Sequence, residues 1–254
     1  MILTLIKSNP VEKRKAREDG SPILHIAEHF SDTIQGENFV GYPSTFLRFQ
    51  YCTLKCVWCD TTPVWMEGNP YSVNEILELW EQNKIVDKFI QGQHLVLTGG
   101  SPIKQQNALI TLLEMFQEKY GTLPFIEIEN ECTLMPEYEM FKYVSRWNNS
   151  PKLENSGMSK KIRYKPDIIK KISEEANDPW FKFVVTKEEE WNEIVQDFLE
   201  PGLIQKEQIV LMPEGGSREE LRKRYDWLVD LCCRENVRFT DRLHITLWDK
   251  KTGV

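Results

Sequence analysis

The sequence predicts an α/β domain on a mainly parallel sheet, with its site at the carboxyl ends of the strands. Strand-like runs alternate with amphipathic helical runs along most of the chain, the pattern of repeated βα units. Two unrelated motifs, the cluster Cys52–Cys59 and the turn Thr98-Gly99-Gly100, each follow a predicted strand. Both then sit on the rim where such sheets bind ligands. The 254 residues, 41% hydrophobic and 28% charged, have ordinary globular composition and suffice for one domain with a full core.

Residues 1–24 read as an N-terminal extension: a short apolar start, the charged run Glu12–Asp19, expected as a solvated helix or loop, and Gly20-Ser21-Pro22. Thr45–Gln50 alternates as a strand, with Arg48 and Gln50 on one face and Leu47 and Phe49 on the other. Val73–Gln82 is a helix with Ile76, Leu77 and Trp80 on one stripe. His94–Leu97 is a strand that runs into the Gly-Gly turn, and Asn107–Tyr120 a helix carrying Leu109, Leu112, Leu113 and Phe116. Pro124–Glu129 reads as a strand and Pro136–Trp147 as a helix. Beyond a Lys-rich polar stretch come strand Phe181–Thr186, helix Glu188–Leu199, strand Gln208–Met212, helix Arg218–Asn236 and strand Leu243–Leu247.

A formal net charge of −7 argues against nucleic-acid binding through a broadly basic surface, so no direct nucleic-acid partner is expected. No apolar run reaches the roughly 18 to 20 residues a membrane span needs. The start MILTLIKSNP has no charged region before its apolar residues and no small-residue cleavage site, so it predicts no signal peptide and a cytoplasmic location. The stretch Lys160-Lys161-Ile162-Arg163-Tyr164-Lys165, with Lys170 and Lys171, reads either as a solvated face or as a docking patch for an acidic reductase. His25 and His29 have i,i+4 spacing but no third ligand nearby, and are taken as local structure.

Six cysteines are too few for a disulfide scaffold. Three of them, Cys52, Cys56 and Cys59, make a C-x3-C-x2-C pattern on one loop. Thiolates in such clusters bind iron–sulfur centres, and three ligands leave one iron open to substrate or cofactor. A zinc site or inert thiols are the alternatives, and zinc wants a fourth ligand that the spacing does not show. Cys132, Cys232 and Cys233 read as packing or surface thiols.

The pattern, with Trp58 just before its last cysteine, resembles the signature of the radical S-adenosylmethionine (SAM) superfamily. The resemblance implies a partial (βα) barrel and a 4Fe–4S cluster on Cys52, Cys56 and Cys59. It also implies SAM chelated to the open iron by its amino and carboxylate groups and cleaved to a 5′-deoxyadenosyl radical. Thr98-Gly99-Gly100 is similar to the second motif, a Gly-Gly turn followed by Glu and Pro that meets the SAM amino group; here Ser101-Pro102 follows instead.

Further segments narrow the likeness: Phe30–Glu37 with its Gln35-Gly36-Glu37, Gly41–Arg48, Cys59-Asp60-Thr61, Ser150-Pro151-Lys152, Met212-Pro213, and the end Leu243–Trp248 with Gly253-Val254. Together they resemble the 7-carboxy-7-deazaguanine synthase family, from about residue 26 to the C-terminus. That likeness implies ring contraction of 6-carboxy-5,6,7,8-tetrahydropterin to 7-carboxy-7-deazaguanine with loss of ammonia, a lyase reaction of queuosine-type biosynthesis. It implies SAM contacts from Trp58, Cys59, Asp60, Gly100, Ser150, Pro151 and Lys152, and Mg2+ on Thr61. Substrate contacts are implied for Ile34, Gln35, Gly36, Glu37, Arg48, Thr98, His244 and the Val254 carboxylate, so that residues 25–254 form one core domain whose C-terminal segment caps the substrate. Arg48 suits the pterin carboxylate as a planar, bidentate cation. Glu129 falls in a Glu-Thr-Asn-Gly-Thr motif that here reads Glu129-Asn130-Glu131-Cys132-Thr133, which leaves its role open. A homodimer and an electron donor such as flavodoxin are expected. The rival readings are another small radical SAM enzyme, such as a glycyl-radical activase, and a non-enzymatic zinc or redox module.

Overall fold

A computed structural model describes residues 2–7, 14–37, 39–62 and 66–249. Among them one sheet of ten strands runs in the order β1-β2-β3-β5-β6-β7-β8-β9-β10, with β4 paired to β2. The strands are β1 (Leu3–Lys7), β2 (Ile23–Ile34), β3 (Pro43–Phe49), β4 (Asn69–Ser72), β5 (His94–Gly99), β6 (Ile126–Asn130), β7 (Arg146–Asn149), β8 (Pro179–Val185), β9 (Ile209–Pro213) and β10 (Arg238–Phe239). From β3 to β10 every neighbouring pair is parallel; β1, β2 and β4 add antiparallel pairings at one side. The predicted mainly parallel α/β architecture is therefore what forms, with β1 of the N-terminal stretch laid along β2.

Helices α1 (Val73–Gln82), α2 (Ile85–Ile90), α3 (Gln106–Tyr120), α4 (Tyr138–Tyr143), α5 (Lys160–Arg163), α6 (Pro166–Glu175), α7 (Glu190–Ile194) and α8 (Arg218–Glu235) join the strands, and α9 (Leu243–Trp248) follows β10. The main core is sheet against helix: Leu47, Phe49, Leu95, Leu97, Ile126, Ile128, Phe181 and Phe183 meet Ile76, Trp80, Leu112 and Phe116. Trp80 stands edge-on to Phe89 and Phe116, with ring centres 5.4 and 5.7 Å away, geometry that aromatic quadrupoles favour. A capping box starts α1: the Ser72 hydroxyl accepts from the Glu75 amide, and the Glu75 carboxylate accepts from the Ser72 amide. Glu75 also pairs with Arg14, and Arg17 with Glu78, so that end of the predicted solvated run is tied down by ion pairs.

Two predicted elements differ. Pro136–Trp147 is not one helix: α4 stops at Tyr143, Val144 turns extended, and Arg146–Asn149 becomes β7. Trp147 continues the helical spacing of Tyr143, which carried the periodicity past the true end. Leu243–Leu247 is not a strand but the helix α9. Its Ile and Thr suggest β structure, yet the chain has left the sheet after β10, so its backbone groups are satisfied locally. Glu188–Leu199 is helical as predicted, with its second half, Val195–Leu199, wound as a π-helix.

Candidate active site

The second face of the sheet is polar where the first is apolar. Alternation along β3 sends Leu47 and Phe49 to the helices and Phe46 and Arg48 to the other side. On β2 the periodicity is broken by a bulge. Ile26 lies opposite Phe49 and Glu28 opposite Arg48, so Ala27 is an extra residue that re-aims Glu28 to Arg48's side. The result is a rank across four strands: Glu28 opposite Arg48, Arg48 beside Thr98, and the Thr98 hydroxyl donating to Glu129 at 2.6 Å. Phe30, Phe46 and Val96 form a small apolar floor below it.

This face lines a cavity of about 480 Å³, within the range of small-molecule sites. Its rim is made by the carboxyl ends of β3, β5, β6 and β7, through Cys52, Cys56 and Cys59, Thr98 to Gly100, Asn130 and Glu131, and Ser150 and Lys152. Gly99 and Gly100 are required by close packing against the end of β3 and the start of the cysteine loop. A Cβ on Gly100 would come 2.1 Å from the Tyr51 carbonyl oxygen, and one on Gly99 would come 2.4 Å from the Phe49 nitrogen. The Gly-Gly turn thus braces the first residues of the C-x3-C-x2-C loop. The loop's other side leans on residues 155–157: the Val57 amide donates to the Ser156 carbonyl at 3.0 Å, and the Trp58 indole to Asn155 at 3.1 Å.

The C-terminal segment covers the cavity. Arg242 pairs with Asp60, and His244 Nε2 lies 3.4 Å from the same carboxylate. Burial would raise the Asp60 carboxyl, but Arg242 and His244 hold it well below the usual carboxylate range. Arg242 also donates to the Gly215 carbonyl at 3.1 Å, while Leu243 sits so close to Gly36 that a Cβ there would lie 3.0 Å from the Leu243 Cβ. The Gln35-Gly36-Glu37 and Cys59-Asp60-Thr61 motifs are thereby fastened to one strap.

Deeper polar groups hold the upper ones in place. The Gln35 amide nitrogen donates to Glu127 at 3.2 Å, and its oxygen accepts from the Gly36 amide at 2.8 Å. Glu127, fully buried, also accepts from Asn148 at 2.9 Å and pairs with His94 at 2.8 Å. Glu37 pairs with Lys182, whose ammonium is pushed down to about 7 by burial and by the nearby Arg242. Glu37 Oε2 is buried without a partner among the described residues. Burial raises Glu129, against the pull of Thr98 and Arg48.

The cavity brings together nearly every residue singled out in the sequence: Ile34, Gln35, Gly36, Glu37, Arg48, the three cysteines, Trp58, Asp60, Thr61, Thr98, Gly100, Ser150, Lys152 and His244. Pro151 is buried and is not part of the lining; Val254 lies outside the described residues. Asp60, expected as a SAM contact, is engaged by Arg242. His29 faces the helices, where its Nδ1 donates to the Phe46 carbonyl at 2.7 Å and its Nε2 accepts from the Trp80 indole at 2.8 Å. Arg163 of the Lys-rich stretch is buried and holds the Lys152 loop, donating to the Lys152 carbonyl at 3.0 Å and pairing with Glu193. Glu28, Glu131, Lys182 and Arg242 were not legible as site residues; only the acidic pattern around Glu131 carried a hint.

The donor set fits an iron–sulfur cluster: three cysteines on one cavity wall, none in a disulfide. Among the described residues no three His, Cys, Asp or Glu side chains are closed around a single metal-ion position. Burial pushes the Cys52 thiol up to about 11 and raises Cys56, so cluster loading, which takes thiolates, releases protons.

Residues 35–129 match the family model described as a 4Fe-4S single cluster domain. The chain is 30% identical to the 7-carboxy-7-deazaguanine synthase of Pyrobaculum aerophilum over 92% of its own length and 98% of that protein. It is 28% identical to the synthase of Halobacterium salinarum, over 95% of this chain and 97% of the other. With the crystal structure of QueE from Escherichia coli it shares the fold, at a TM-score of 0.64 and 21% identity, covering 88% of this chain and 95% of that one.

Proposed function

We infer the work of individual residues from one premise: the chain belongs to the 7-carboxy-7-deazaguanine synthase family. It is a radical SAM lyase that carries out the ring contraction of 7-deazaguanine biosynthesis, and a 4Fe–4S cluster and SAM are its cofactors. The observation that carries the reading for this chain is the convergence of the cysteine loop, the Gly-Gly turn, Gln35-Gly36-Glu37 and Arg48 on one cavity. The substrate is a small pterin, 6-carboxy-5,6,7,8-tetrahydropterin, and the products are 7-carboxy-7-deazaguanine and ammonia.

Cys52, Cys56 and Cys59 hold the cluster, and its bound cofactor supplies hydrogen abstraction from the substrate ring. The Trp58–Asp60 backbone, Gly100 and Ser150–Lys152 hold SAM against it; the Lys152 ammonium, donating to the Ser150 carbonyl and hydroxyl at 2.6 and 2.7 Å, keeps that loop closed. Arg48 grips the pterin carboxylate. Glu28 takes its Nε at 3.1 Å, which leaves the Nη groups for the ligand. Gln35, and Glu37 through an Oε2 that has no partner among the described residues, read the pterin edge. Ile34, Thr98 and His244 complete the substrate wall. Thr61, whose hydroxyl lines the cavity beside Cys59, would hold Mg2+, an ion that takes oxygen donors. Glu127 and Asn148 are positioning residues, since they act through Gln35.

Residues 25–254 act as one core domain, with 1–24 as its extension. No helix among the described residues is long and apolar enough to cross a membrane. We place the protein in the cytoplasm as a homodimer, with an acidic electron donor such as flavodoxin docking at the exposed Val57 tip and the basic stretch that begins at Lys160. The exposure of Val57, at 77%, and its packing on residues 156–157 ahead of that basic helix support the docking site.

The test is anaerobic: cluster-loaded protein, SAM, a reductant and 6-carboxytetrahydropterin, with products read by mass. Formation of 7-carboxy-7-deazaguanine, lost in Cys56→Ala, is expected. SAM cleavage without any conversion of the pterin points to another radical SAM enzyme. Zinc in place of iron and sulfide points to a non-enzymatic module.

A further inference from the structure

Glu131 stands just past the end of β6, 6% exposed and on the cavity wall. Its two oxygens are used very differently. Oε1 accepts from three hydroxyls: Thr53 at 2.8 Å, Ser101 at 2.7 Å and Thr133 at 2.8 Å. Oε2 is buried and has no partner among the described residues. Thr53 follows Cys52, and Ser101 follows Gly100, so the carboxylate is clamped between the cysteine loop and the Gly-Gly turn. The chain turns at Cys132 with φ +63, and this bend brings Glu131 and Thr133 together onto Thr53.

A buried carboxylate oxygen with no donor is costly unless a ligand supplies one. Three hydroxyls fix the group in place, so it is oriented before any ligand arrives. The Lys152 ammonium on the same wall is already committed to Ser150. What the free oxygen wants is an N–H donor carrying or sharing positive charge, close to the cysteines. In SAM that group is the α-amino group of its methionine moiety. The sequence around the turn agrees: where the similar motif continues Gly-Gly-Glu-Pro, this chain has Gly99-Gly100-Ser101-Pro102, and the serine hydroxyl points at Glu131.

Resting on the family reading above, we propose that Glu131 Oε2 accepts the SAM amino group, a task relocated from the Gly-Gly turn to the end of β6, with Ser101 as the residue that orients it. Serine at 101 leaves room for the longer side chain to reach in from the neighbouring strand. The two positions then form one exchangeable unit.

Equilibrium binding to the anaerobically reconstituted protein tests this without turnover. The probes are SAM and its analogue with the amino group replaced by hydrogen. In Glu131→Gln the amide oxygen keeps the three hydroxyls and the NH2 faces the amino group, donor against donor. SAM affinity should fall at least tenfold, while affinity for the analogue stays within twofold. Equal losses for both probes, or no loss for SAM, overturn the proposal. Should Glu131→Gln take up less iron and sulfide than wild type, the exchange S101E/E131S decides. It should bind SAM within about fivefold of wild type and at least tenfold better than E131S alone; no gain over E131S overturns the proposal. Wild-type protein that holds a cluster but does not bind SAM would instead remove the reading beneath it.

Discussion

Arg48 lies directly opposite Glu28 across the antiparallel β2–β3 pair, with its Nε 3.1 Å from the carboxylate. The pairing exists because the bulge at Ala27 turns Glu28 inward. Both side chains are largely buried at the cavity, so the guanidinium is held in a fixed direction before substrate arrives. Losing a bidentate pair in a desolvated site costs on the order of 2–5 kcal/mol. Arg48→Ala should raise the Kd for the carboxypterin at least tenfold while the cluster absorbance stays normal. Arg48→Lys should recover little, because a point charge cannot make the planar pair. Titration of the reconstituted protein with substrate checks both.

Arg242 and Asp60 tie the C-terminal strap to the cysteine loop. Arg242 is buried and Asp60 is 29% exposed, so the pair lies toward the weaker end of buried ion pairs. Breaking it by Arg242→Met leaves the carboxylate with only the weaker support of His244, 3.4 Å away, and should cost about 3 kcal/mol. Urea denaturation of the cluster-free protein reads this directly. The Asp60 carboxyl is depressed in the fold, so its contribution is present above its unfolded value, near 3.8, and is lost as the pH falls below that. The gap between wild type and Arg242→Met should therefore narrow in acid.

His29 gives a second pH signature, of different origin. It is fully buried and neutral between the Phe46 carbonyl and the Trp80 indole, and burial lowers it from 6.5 to about 4. The unfolded chain then binds more protons than the folded one between those values. Stability is full above about pH 6.5 and falls as the pH drops toward 4, by about 3 kcal/mol in all. His29→Gln keeps one donor and one acceptor but cannot titrate. Its urea midpoint should lose most of the wild-type slope over that window.

Cys132 adopts φ +63 and is fully buried where the similar motif has glycine. Left-handed backbone costs a side-chain-bearing residue about 1–2 kcal/mol, and more with a branched Cβ. Cys132→Gly should stay within about 1 kcal/mol of wild type, relief of strain offsetting the lost sulfur contacts. Cys132→Val should be clearly less stable. Equal stability of the two variants would show that the backbone there is unstrained.

The helices and parallel strands were legible where a single periodicity governs them. Val73–Gln82 and its stripe of Ile76, Leu77 and Trp80 form as read, because one face meets the sheet. Most of β2 was not legible: its bulge switches which residues face the helices, so Ile26 and Glu28 break the two-residue period. β7 and α9 were misread because four to six residues carry too little pattern to outweigh tertiary context. The site was legible where chemistry is written in rare residue types, in the cysteines, the Gly-Gly turn and Gln35-Gly36-Glu37. Lys182 and Arg242 were not, since nothing local distinguishes a cation that pairs with Glu37 or Asp60 from one that meets water.

The most direct test of the central claim follows one hydrogen. Cluster-loaded protein is given SAM, a reductant and 6-carboxytetrahydropterin deuterated on its saturated ring carbons, and the 5′-deoxyadenosine formed is weighed. Deuterium should appear in the 5′-deoxyadenosine, with 7-carboxy-7-deazaguanine formed alongside it, and Cys56→Ala should abolish both. Unlabelled 5′-deoxyadenosine with the pterin recovered intact would contradict it.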